Sequence, residues 1–169
     1  MRDQPLDVDL RWLMRRDLPE VLAIERQSFE WPWSEDDYAA CLRRRTTLAI
    51  VAETQDQVVG LYVCNLAKSH VKLLNLAVAA DARRRCVGSQ LVGKIVSKLS
   101  PQRRTKILVD VCERNLGAQL FFRALGFVAL GMLPAPYAET DDDAIRFVYR
   151  LDKQPPPRVP VNHIFRRWP

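Results

Sequence analysis

Polar and apolar residues alternate over positions 8–14 (VDLRWLM), and this period of two predicts a first strand. Asp17 then stands where a helix cap belongs, with Pro19 in the first turn and Glu20 three residues after the cap. The helix it opens would carry Leu22, Ile24 and Phe29. A second helix is expected after Ser34, a capping residue followed by Glu35, Asp36 and Asp37, negative charges that suit a helix N-terminus. It runs into Arg43-Arg44-Arg45, cations at the end that favours them. Positions 47–53 and 58–66 read as two strands joined by a polar turn, and 71–78 as a third. From about Gly88, Leu91, Val92, Ile95, Val96 and Leu99 share one helical face until Ser100-Pro101 stops the helix. Positions 106–112 (KILVDVC) carry little polarity, as expected for a strand covered on both faces. A short helix over 116–127 ends at Gly126. A last strand pair, 127–133 and 145–151, is joined by a loop with Pro134, Pro136, Tyr137 and three aspartates.

Strands and helices in this order predict one α+β domain (mixed α/β) over 1–151, a mainly antiparallel sheet of six to seven strands flanked by about four helices. From Asp152 the character changes. The stretch 152–169 is a Pro-rich basic tail that still holds Ile164, Phe165 and Trp168. No apolar run approaches the roughly 20 residues a membrane span needs. The opening MRDQPLDVDLRW has acidic residues where a secretory leader needs an apolar core, so a cytoplasmic protein without a membrane partner is expected. Cys41, Cys64, Cys86 and Cys112 lie far apart, which reads as free thiols in a reducing compartment. His70 and His163 stand alone, so no metal is expected.

A net charge of +6 gathers into arginine knots, at 43–45, 83–85, 103–104 and 166–167. Such an excess favours acidic or phosphorylated partners. The knots lack the interleaved aromatics that stack bases, which ranks an RNA- or ribosome-binding role last. One knot sits in a more telling context: strand 71–78, then AADARRRCVGS, then a helix. A helix N-terminus offers unpaired N–H groups and about half a positive charge, so a basic loop before it is a ready anion site.

Three ordered blocks resemble the GNAT family of acyl-CoA-dependent N-acyltransferases. The loop Arg83-x-x-Cys86-x-Gly88 is similar to the family's Q/R-x-x-G-x-G/A, with cysteine at the first glycine. NLGAQLFFRALGF, from Asn115, resembles N-x-x-A-x-x-L-Y-x-x-x-G-F, with Phe122 where the family has tyrosine. SFEWPWSED, from Ser28, is similar to the Phe-x-x-Pro-Trp-Ser segment of the ribosomal-protein-alanine acetyltransferase branch, which acts on protein N-termini.

The resemblance implies the GNAT fold and acetyl-CoA as cofactor. The pantetheine arm would lie along Leu76, Ala77 and Val78. The pyrophosphate would rest on the amides of Arg84, Arg85, Cys86, Val87, Gly88 and Ser89 behind Arg83, with Asn115 and Phe122 beside the arm, though an asparagine at a helix start is as well explained as a cap. A cysteine keeps the amide of the lost glycine but is penalised by about 1–2 kcal/mol if its φ must be positive. Asp110 matches the family's glutamate, the base that takes a proton from the amine, and Glu113 is the alternative. Asp110 also fits a plain ion pair with an arginine. Phe122 cannot protonate the departing thiolate; Tyr137 is the candidate substitute. Trp31, Pro32 and Trp33 would line the acceptor groove, and Glu139, Asp141, Asp142 and Asp143 could attract a cationic amine. The expected acceptor is a protein or peptide N-terminus, such as a ribosomal protein, or a small amine. The departures at Phe122 and Cys86 leave a second reading open, a catalytically impaired acyl-CoA-binding or regulatory module.

Overall fold

The computed structural model describes residues 4–136 and 141–152. The strands are β1 (Asp9–Trp12), β2 (Thr47–Thr54), β3 (Gln57–Leu66), β4 (His70–Val78), β5 (Lys106–Cys112), β6 (Val128–Leu133) and β7 (Ala144–Arg150). The α-helices are α1 (Leu18–Ser28), α2 (Glu35–Leu42), α3 (Val87–Val96) and α4 (Leu116–Ala124). Hydrogen-bonded neighbours give the strand order β1-β2-β3-β4-β5-β7-β6. The pairings β1–β2, β2–β3, β5–β7 and β6–β7 are antiparallel. Contacts divide the chain into two compact units, one of residues 1–67 with 73–95, the other of 68–72 with the chain from Val96 onward. The expected separate tail lies outside the described residues, apart from Asp152.

In the first unit, β2 and β3 form a hairpin whose turn residues Gln55 and Asp56 have φ of 48° and 60°. Positive φ at both central positions matches the right-handed strand twist. Leu18, Val21 and Ile24 of α1 and Tyr38 of α2 pack with Val51, Leu61, Val63 and Ala77 of the sheet. Ser34 caps α2 as expected, its hydroxyl accepting from Asp37 N while the Asp37 carboxylate accepts from Ser34 N at 2.8 Å. Asp17 does not cap α1. Its carboxylate takes a two-pronged bond from Arg11 (2.7 and 3.0 Å) and the Met14 amide instead. An arginine six positions back offers charge-assisted bonds, which outweigh a neutral amide. On β3 a Cβ at Gly60 would stand 3.2 Å from Ala77 O, Leu91 Cδ1 and Val87 Cγ1, so glycine lets this strand, β4 and α3 approach closely.

In the second unit, β5 pairs β7 in the register Lys106↔Arg150, Asp110↔Arg146, Cys112↔Ala144. β5 is not covered evenly: Ile107, Val109 and Val111 are buried while Lys106, Leu108, Asp110 and Cys112 are half-buried. Phe122 of α4, Phe127 and Tyr149 form a ring cluster with centroid spacings of 5.1 and 5.4 Å. α4 ends where Gly126 takes φ 91°, a left-handed residue suited to a helix C-terminus. α3 stops at Val96, three residues before Leu99, where Leu99 N bonds Val96 O at 2.9 Å in a tighter turn and Ser100 N turns away to Arg104 O.

Candidate active site

β4 leads directly into the arginine loop. Ala79 N still donates to Val59 O at 2.9 Å, a short 3-10 turn follows at Ala80–Ala82, and α3 begins at Val87. The Gln90 amide makes the first helical bond, to Cys86 O at 3.0 Å. The amides of Val87, Gly88 and Ser89 therefore precede any acceptor of their own helix and lie at the positive end of its dipole, where an anion could bind. Cys86 has φ 63° and Arg84 φ 59°. The position where the family's pattern has glycine is thus left-handed, and a cysteine holds it at about 1–2 kcal/mol. Arg83 has its guanidinium on Val78 O (2.9 Å) and Ser28 Oγ (3.0 Å), so it ties the loop to β4 and α1. Arg85 Nε donates to Gln4 O at 3.3 Å, and Arg84 is exposed. On β4 the Ala77 side chain is buried, while Leu76 and Val78 are half-buried on the opposite face.

Asp110 belongs to the second unit. Arg146 grips its carboxylate from β7, Nε to Oδ1 at 2.8 Å and a terminal nitrogen to Oδ2 at 3.0 Å. Lys72, at the start of β4, also donates to Oδ2. Burial pushes the Asp110 carboxyl up, but the bonds from Arg146 and Lys72 more than reverse this and hold it below the usual carboxylate range. Burial lowers the Lys72 ammonium, and the pairing with Asp110 only partly restores it. A carboxylate with both oxygens bonded to cations is a weak proton acceptor.

Residues 18–127 match the acetyltransferase (GNAT) family. The chain belongs to that family. It is 25% identical over 135 residues to the ribosomal protein bS18-alanine N-acetyltransferase of Salmonella typhimurium, covering 79% of this chain and 90% of that one. The crystal structure of the Escherichia coli ribosomal-protein-S18-alanine N-acetyltransferase superposes with a TM-score of 0.76 at 20% identity, over 89% of this chain and 97% of that one. Ard1 from Thermoplasma volcanium gives a TM-score of 0.77 at 22% identity, over 88% and 100% of the two chains. The protein is accordingly an acetyl-CoA-dependent N-acetyltransferase of the GNAT fold. The positive-φ loop at the head of α3 fits a cofactor with a pyrophosphate.

The other positions singled out by the GNAT pattern fall into different settings. Asn115 caps α4, its Oδ1 accepting from Ala118 N at 3.0 Å. Glu113 is exposed, its amide bonded to Asp143 O (2.9 Å) and its carbonyl to Gln119 Nε2 (2.8 Å). The Phe122 ring is 4% exposed, wedged edge-on between Phe121 and Phe127. It packs in the core of its unit, where the family pattern suggested a cofactor contact. Tyr137 and Glu139 lie outside the described residues. Asp142 pairs with Arg114, and Asp143 Oδ1 accepts from Ala135 N at 3.0 Å. Among the described residues no group of three or more His, Cys, Asp or Glu could hold a metal, and no helix is long and apolar enough to cross a membrane.

Trp31 is 58% exposed and Pro32 is exposed, whereas the Trp33 ring packs edge-on against Tyr38 at 5.4 Å. A residue absent from the motif reading anchors this segment. Glu25, fully buried on α1, accepts from Trp33 N at 3.2 Å, from Tyr38 OH at 2.7 Å and from the Asn75 amide on β4. Burial raises its carboxyl above the usual range, and the three bonds offset this only in part. The signal was available: Leu18, Val21 and Glu25 recur on one helical stripe, and an acid on an apolar stripe demands partners.

Proposed function

We propose that the protein acetylates the α-amine of a protein N-terminus, with an alanine-initiated ribosomal protein as the acceptor class. The observation that carries this reading is the likeness, over 90% of its length, to an alanine N-acetyltransferase whose acceptor is ribosomal protein bS18. Bound acetyl-CoA supplies an activated thioester carbonyl. In this reading the amides of Val87, Gly88 and Ser89 hold pyrophosphate, Arg84 adds positive charge, and Leu76, Ala77 and Val78 offer backbone to the pantetheine arm. Arg83, Arg85 and Cys86 shape the loop. Trp31 and Pro32 meet the acceptor peptide, held in place through Trp33 and Glu25. Asp110, charged and doubly paired, orients water that carries the amine's proton away, a weaker aid than a direct base gives. In this reading, with a ribosomal acceptor, the protein works in the cytoplasm.

The test is to incubate the protein with acetyl-CoA and synthetic peptides and follow acetylation by mass. An Ala-initiated peptide gains an acetyl group at its α-amine, while the same peptide with a blocked N-terminus and an internal lysine does not. Acetylation of the lysine or of small amines alone would overturn the acceptor class. The paired Asp110 and the buried Phe122 favour a second reading, an impaired acyl-CoA-binding module. Cofactor binding without transfer to any amine would establish it.

A further inference from the structure

The loop that carries the cofactor reading holds two non-glycine residues in left-handed conformations, Arg84 at φ 59° and Cys86 at φ 63°. Both side chains favour a return to ordinary φ, and a loop that relaxes would no longer point its amides as a cradle. Something has to hold it. The chain before β1 runs beside the loop and bonds to it at the residue between the two strained ones. Leu6 N donates to Arg85 O at 2.9 Å, and Arg85 Nε donates to Gln4 O at 3.3 Å. Gln90, 5% exposed on the first turn of α3, closes the link: its Nε2 donates to Leu6 O at 2.7 Å and to Cys86 O at 3.4 Å. One buried amide thus bridges the N-terminal segment and the left-handed cysteine.

We propose that residues 4–6, locked by Gln90, form a strap that holds the Arg84–Cys86 loop in its cofactor-binding conformation and offsets the loss of glycine at position 86. The proposal rests on the reading of this loop as the pyrophosphate site. Gln90 and Leu6 act here as positioning residues, through the loop and not by touching the cofactor. The expected signature follows from preorganisation. When only a fraction of molecules holds the competent loop, the apparent dissociation constant rises by the inverse of that fraction. Without the strap a cysteine leaves the left-handed region, whereas a glycine stays there at no steric penalty.

The experiment is titration of coenzyme A into the full chain and four variants, Gln90→Met, Cys86→Gly, the double substitution and Leu6→Pro, with amide hydrogen exchange of residues 83–90 in the free proteins. Gln90→Met keeps the length of the side chain and removes its amide, so about a tenfold weaker coenzyme A affinity and faster loop exchange are expected. In the Cys86→Gly background the same substitution should weaken binding less than about threefold. Leu6→Pro, which deletes the N–H that bonds Arg85 O, should behave as Gln90→Met does. Equal losses in both backgrounds, or unchanged loop exchange in Gln90→Met, would overturn the strap while leaving the cofactor site standing. A wild-type protein that binds no coenzyme A would overturn the functional reading and the strap with it.

Discussion

Two carboxylates sit in the two units, and their surroundings have opposite consequences. Glu25 is sealed among neutral donors, Tyr38 OH, Asn75 Nδ2 and Trp33 N, with no cation among the groups that shift its titration, and its acidity falls. Asp110 keeps some exposure but is gripped by Arg146 and Lys72, and its acidity rises. The family pattern draws attention to Asp110, which the proposed reading sets beside the chemical step, whereas the densest buried bonding centres on Glu25. A residue that fits a family pattern and a residue bound tightly into its surroundings need not coincide: one carboxylate is held charged by two cations, the other joins α1, the Trp33 segment and β4.

The largest effect should therefore come from Glu25. Glu25→Ala removes the acceptor of three donors, two of them buried, and each unsatisfied buried group costs about 1–3 kcal/mol. A loss of about 3 kcal/mol or more is expected, near 10 °C in Tm for a chain of this size, read by thermal or urea unfolding. A loss below about 1 kcal/mol would break the comparison, because it would mean water satisfies the donors as well as Glu25 does. Asp110→Asn comes next. A general base acting directly contributes about 10²–10⁴-fold, whereas a carboxylate already bonded to two cations should cost only about tenfold in kcat when replaced. A loss beyond a hundredfold would show that Asp110 exchanges its partners for the acceptor amine during turnover. Phe122→Tyr should do less still. Its ring lies in the core against Phe121 and Phe127, so the new hydroxyl is expected to lower stability by about 1 kcal/mol and leave turnover unchanged. A clear gain in turnover would show that the ring position faces the departing thiolate after all.

Much of the architecture was legible in the residues because it rests on local rules. Positions 106–112 became β5 with those bounds, and Ser34 caps α2 as expected, with Asp37 reaching back to complete the cap. The departures come from groups distant in sequence. Asp17 looks like a cap until Arg11 and Glu53 are brought alongside it, the latter 42 residues from its arginine. Positions 106–112 carry little polarity and read as covered on both faces, yet the half-buried face of β5 holds the Asp110 pairings, which only the register with Arg146 reveals. In the loop the motif marks the candidate anion site, but φ at Cys86 cannot be read from a residue name, nor could Arg84 be expected to share the left-handed conformation. Glu25 is hidden for a different reason: a charged residue in an amphipathic helix reads as solvent-facing, and its partners Tyr38 and Asn75 lie 13 and 50 positions away.

The smallest expected effect is also the one that tests the two carboxylates against each other. Glu25 has a raised folded value, so its contribution to stability is complete below its unfolded value of about 4.3 and declines as pH rises through the folded value. Asp110 has a lowered folded value, so its contribution is complete above about 3.9 and declines as pH falls through the folded value. Unfolding free energy measured across pH should therefore fall towards alkaline pH through Glu25 and towards acid through Asp110. Glu25→Gln will shift the whole curve, because its amide meets the Trp33 N–H donor to donor, but the alkaline slope attributed to Glu25 should vanish. Asp110→Asn should instead flatten the acid limb. The slope of one titrating group cannot exceed about 1.4 kcal/mol per pH unit, and a few tenths over the range is the expected size. An alkaline slope identical in wild type and Glu25→Gln would mean that Glu25 keeps an ordinary acidity in the fold, and the distinction between a sealed carboxylate and a gripped one would lose its electrostatic half.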